Sequence, residues 1–122
     1  MSNLKATDLR IGNLIYYANG SICKVDYHQI RYLRITTEKV NYQPIPITEQ
    51  WLLDFGFDLY PSGSYCIDLF TKNDYLAIDI KYNKGFIYIN IDDTSLKINL
   101  EHLHQLQNLY FALTNEELTL NK

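Results

Sequence analysis

Few residues in this chain carry reactive side chains, and their spacing keeps them apart. Cys23 and Cys66 lie 43 positions apart, and neither belongs to a CxxC pair. Both fall in strand-like apolar runs, which reads as small buried hydrophobes in a reducing compartment. His102 and His104 are two apart in a predicted helix, so their rings are expected to diverge. A structural zinc ion wants four convergent ligands, and the pattern offers no such set. Asp92-Asp93 and Glu116-Glu117 are adjacent pairs whose carboxylates diverge, unlike the facing pairs of general acid–base chemistry. No serine sits in an elbow motif, and the five glycines are too scattered for a phosphate loop. The expectation is a protein with no catalytic residues, no metal and no cofactor.

Binding chemistry is better represented. Eleven tyrosines supply rings with an apolar face and a polar tip, suited to half-buried strands and to interfaces. The run Lys84-Gly85-Phe86-Ile87-Tyr88-Ile89-Asn90-Ile91 resembles an RNA-binding strand whose exposed aromatics stack on bases. Ile87 stands where that motif wants a small residue, and the surrounding segment is acidic, so an ordinary hairpin is the expected reading. Its candidate contact residues are Tyr82, Lys84, Phe86 and Tyr88. A second candidate group is Arg31, Tyr32 and Arg34, in a mildly basic stretch with Lys24 and Lys39.

The net charge of −3 is unevenly spread. Residues 1–48 hold six Lys/Arg against three Asp/Glu, and residues 49–101 hold four against nine. A nucleic-acid binder normally shows a basic footprint. An acidic segment is better matched to a basic protein groove, where complementary charge raises the on-rate.

The elements that must position these residues follow from periodicity and punctuation. Leu14 to Tyr17 and Ile22 to Tyr27 read as strands around Asn19-Gly20, a strong hairpin signal. Ile30 to Thr36 reads as a third strand, with Arg31 and Arg34 on opposite faces. Tyr42 to Ile47 is extended, and its prolines confine it to an edge or a strand end. Together these four strands predict a small SH3-like sheet. Thr48 is placed to cap a helix over 49–57, with Ile47 and Leu52 at staple spacing and Gly56 as terminator. Trp51, Leu52 and Phe55 form its apolar face, and Trp51 is expected in the core.

Residues 58–99 alternate as an antiparallel meander with one covered face. Ile87, Ile89 and Ile91 point inward, and Phe86, Tyr88 and Asn90 outward. The cover is a C-terminal helix over 100–114. Asn99 is its predicted cap, Leu103, Leu106, Tyr110 and Leu113 its stripe, and Asn115 its left-handed terminator. The fold class is therefore α+β within one domain spanning 1–122: sheet 1–48, helix 49–57, meander 58–99, helix 100–114. There is no apolar run near 18 residues and no leader-like N-terminus.

Three stretches resemble a family of short phage and prophage proteins of unknown function. They are Leu9-Arg10-Ile11-Gly12-Asn13, then Pro46 to Phe57, then His104 to Thr114 followed by Glu116-Glu117-Leu118. That family often ends in Thr-Gly-Glu-Glu-Leu, and Asn115 replaces the glycine here. The resemblance implies a mobile-element product in bacterial cytoplasm and supplies no active-site residues. By analogy with such products, the expected role is non-enzymatic binding of a host protein or ribonucleoprotein. An RNA-guided nuclease inhibited in anti-CRISPR fashion is one such partner. An RNA-binding accessory protein and a homo-oligomeric structural phage protein are the alternatives, since an exposed edge strand can pair two copies into a homodimer.

Overall fold

Residues 4, 8–35, 42–69, 74–81, 84–91 and 94–120 are described in the computed structural model. The elements are β1 (Leu14–Tyr16), β2 (Ile22–Lys24), α1 (Tyr27–Ile35), α2 (Glu49–Asp54), β3 (Asp58–Leu59), β4 (Tyr65–Asp68), β5 (Tyr75–Lys81), β6 (Lys84–Ile91), β7 (Thr94–Leu100) and α3 (Leu103–Thr114). Two antiparallel sheets, of two and five strands, accompany three helices. The fold class is α+β. The chain divides into two units, one comprising Met1–Ile45 with His102–Leu109, the other Pro46–Glu101 with Tyr110–Lys122.

In the first unit the Asn19-Gly20 turn forms as expected. Gly20 takes φ +86°, in the left-handed region that side chains avoid. Tyr17 N–H donates to the Ser21 carbonyl at 2.8 Å, and β1 and β2 pair with Ile15 opposite Cys23. Beyond β2 the expectation of a four-stranded sheet fails. Ile30 to Ile35 is helical, and Gln43 meets the hairpin through an isolated bridge to Tyr16. The reason is a capping box. The Asp26 carboxylate accepts the His28 N–H at 2.8 Å, and the Gln29 side chain accepts the Asp26 N–H at 2.8 Å. With its first turn closed, α1 buries Ile30 and Leu33, three apart, against a core of Leu4, Leu9, Ile15, Cys23 and Val25.

The start of α3 clamps the loop before β1. Gln107 Oε1 accepts the Leu14 N–H at 2.8 Å, and its Nε2 donates to the Gly12 carbonyl at 3.3 Å. Asn13 Nδ2 donates to Asn108 Oδ1 at 2.8 Å, while Asn13 Oδ1 takes the Arg10 N–H. Asn13 and Gln107 are both buried, so these bonds satisfy groups that water does not reach. Asn99 does not cap α3. It lies in β7 opposite Phe86, and the helix starts at Leu103. His102 instead holds the preceding position, and Gln105 reaches back to accept its N–H at 3.0 Å.

In the second unit Thr48 caps α2 by accepting the Trp51 N–H. Gly56, at φ +94°, ends the helix. Leu52 and Phe55 are buried, but Trp51 is only half-buried and stacks on Phe55 at 6.0 Å. The α2 stripe is narrower than three apolar residues suggest, and Trp51 lies at its margin. The meander forms in the order β3-β4-β5-β6-β7. Leu76, Ile78, Ile87 and Ile89 supply its buried face. Asn115 ends α3 at φ +60°. Thr36, Lys39, Tyr82, Asp92 and Asp93, used in the sequence reading, lie outside the described residues.

Candidate binding surfaces

The outer face of the five-stranded sheet follows from register, because alternate residues share a face. One row across β4–β7 is Cys66, Ala77, Tyr88 and Lys97. The row on one side is Asp79, Phe86 and Asn99. The row on the other is Asp68, Tyr75, Asn90 and Ser95. Lys97 Nζ stands 5.1 Å from the Phe86 ring centroid and 5.7 Å from that of Tyr88. A lysine already occupies the neighbourhood that a stacking base would need. Phe86 and Tyr88 are half-buried.

Toward β3 this face sinks into a groove of about 360 Å³, lined chiefly by Tyr60, Ser62, Ser64, Cys66, Asp68 and Tyr75. The Pro61–Ser64 turn forms its rim, closed by Gly63 N–H to the Tyr60 carbonyl and Tyr60 N–H to the Ser64 carbonyl, both at 2.9 Å. Ser64 Oγ donates to Asp79. Asp58 opposes Cys66 in the β3–β4 register and adds a further carboxylate. Burial pushes the Cys66 thiol up from its ordinary pKa, and Asp79, Asp58 and Asp68 raise it further. The sulfur is held as a thiol at neutral pH, and a thiol is a poor nucleophile. The groove thus offers aromatic walls, hydroxyls and negative charge.

The first unit carries a separate concavity of about 380 Å³ between Tyr17, Tyr32 and Tyr42. The Tyr32 and Tyr42 centroids are 5.9 Å apart at 87°, and those of Tyr17 and Tyr42 are 6.1 Å apart at 50°.

The candidate residues from the sequence divide between the two units. Phe86 and Tyr88 share the outer sheet face as expected. Lys84 belongs to β6, though its side chain lies outside the described residues. Arg31 and Tyr32 are exposed on α1. Arg31 and Arg34 belong to helix α1 rather than to a strand, and the Arg34 side chain lies outside the described residues. The groove's Asp68, Tyr75 and Tyr60 and the partners Tyr17 and Tyr42 were missed. Sequence order gives no cross-strand register, which is what gathers them.

His102 and His104 also depart from expectation. Their rings stack at 5.8 Å and 8°, because His102 precedes the helix and does not share its geometry. Among the described residues no group of three or more His, Cys, Asp or Glu side chains could hold a metal ion. No helix among them is long and apolar enough to cross a membrane. No protein-family model, curated protein or solved structure matches this chain.

Proposed function

We propose that this chain is a non-enzymatic binding protein that engages a basic protein surface with the outer face of its five-stranded sheet. The observation that carries this reading is the groove beside β3 and β4, lined by Tyr60, Asp68 and Tyr75, with the Asp58 and Asp79 positions close by in the register. Aromatic anchors beside charge are the usual energetic centre of a protein interface. The carboxylates repel phosphate, which favours a protein surface over RNA. The likeness of three segments to short phage and prophage proteins supports a partner in the bacterial host. An RNA-guided nuclease is one such partner, since its nucleic-acid channel is a basic groove that an acidic sheet face would occupy in competition with nucleic acid.

Charge reversal tests the reading. Asp58 and Asp68 are exposed or nearly so, so Asp58→Lys with Asp68→Lys leaves the fold intact. Proteins retained from bacterial lysate by the wild type, and released as salt rises, should be lost from the double variant. Equal retention by both would refute the assignment. A gel shift with single-stranded RNA at low salt, by the wild type alone, would move it to the RNA reading.

A further inference from the structure

We infer that the concavity between Tyr17, Tyr32 and Tyr42 is a recognition site for an organic cation, such as the head of a lysine or arginine side chain. It lies in the first unit, on residues the proposed sheet-face function does not use, and the two readings stand or fall separately. Three rings tilted at 50° and 87° to one another bound a space of about 380 Å³ beside Ala18 and Asn19. The faces of such rings are electron-rich and attract a cation placed over them. Tyr17 and Tyr32 are 41 % and 39 % exposed, so the walls are accessible.

Two of the rings are held before any ligand arrives. Tyr17 lies against the buried Cys23, and Tyr42 against the Gln29 side chain. Gln29 is itself held by the capping box of α1. Main-chain bonds between Tyr16 and Gln43, at 2.8 and 3.0 Å, hold the neighbouring residue of each of two walls. Asp26 is the acidic group acting on both Tyr17 and Tyr42. It favours positive charge and opposes an anion. Such preorganisation saves the ordering cost that weakens most exposed aromatic contacts.

The test uses the full chain, ¹³C-labelled on tyrosine rings, titrated with choline chloride and separately with 3,3-dimethyl-1-butanol, its neutral isostere. Choline is expected to shift the rings of Tyr17, Tyr32 and Tyr42 saturably, and to bind at least about fivefold more tightly than the alcohol. Tyr32→Leu, at an exposed position, should cut choline affinity about fivefold or more while the tyrosine signals other than those of Tyr17 and Tyr42 keep their positions. Equal affinity for both probes would reduce the site to an apolar dimple and overturn the inference. So would choline shifts confined to other tyrosines, or no saturable shift.

Discussion

Gln107 and Leu14, 93 positions apart, meet through a 2.8 Å hydrogen bond from the Leu14 main chain to the Gln107 side chain. The same amide donates to Gly12, so one side chain satisfies both a donor and an acceptor of the loop entering β1. The loop residues Gly12 to Leu14 and the α3 residues Gln107 and Asn108 therefore interlock within the first unit.

Replacing Gln107 with Ala should strand the Leu14 N–H and the Gly12 carbonyl. The buried Leu14 N–H left unpaired costs about 1–3 kcal/mol and the half-buried Gly12 carbonyl about 1 kcal/mol, so a loss of about 2–4 kcal/mol is expected in urea denaturation. A loss below about 0.5 kcal/mol would mean that water replaces the amide without penalty.

His104 makes stability depend on pH. Burial, and then the stacked His102, lower its pKa from 6.5 to about 4, with Asp8 opposing. Its Nδ1 is buried without a hydrogen-bond partner. The unfolded chain takes up this proton near pH 6.5 and the folded chain only near pH 4, so the unfolded state binds more protons in between. The stabilising contribution is complete above pH 6.5 and declines as pH falls to about 4, by about 3 kcal/mol. The unfolding free energy of the wild type relative to His104→Leu, measured from pH 7.5 to 4, should fall by about that amount. A constant difference would show that His104 titrates normally.

The meander was legible because Leu76, Ile78, Ile87 and Ile89 recur at every second position, with Tyr75, Asp79, Tyr88 and Asn90 between or beside them, and a covered antiparallel sheet demands that period. The α2 boundaries were legible because Thr48 and Gly56 are chemically suited to helix ends. Helix α1 was misread because Ile30, Tyr32 and Arg34 alternate as a strand would. The deciding signal was Asp26-x-x-Gln29, a cap whose bonds precede any packing. The groove and the tyrosine concavity were not legible, since each depends on pairing between residues distant in sequence. The Tyr60–Tyr75 groove exists only once β3, β4 and β5 are in register.

The capping box yields its own test. Asp26→Ala removes the acceptor of the His28 N–H and should cost about 1 kcal/mol. It should also weaken choline binding, by removing the carboxylate near the tyrosines. Unchanged stability would place the start of α1 under tertiary control.

On α2 the half-buried Trp51 and the buried Leu52 should differ. Leu52→Ala is expected to cost about 2–5 kcal/mol through cavity formation. Trp51→Ala should cost less, because its ring rests on Phe55 at the margin of the core. A larger loss for Trp51 in thermal denaturation would contradict the burial order.

The central claim is that the outer sheet face is the working surface. Its most direct measurement is photo-crosslinking in bacterial lysate, with benzoylphenylalanine placed at Tyr75 and, separately, at the exposed Ala112 of α3. One discrete, salt-sensitive protein adduct is expected from position 75, lost when Asp58 and Asp68 are both changed to Lys, and none from position 112. An adduct from position 112 alone, or one at position 75 that survives the charge reversal, would contradict it.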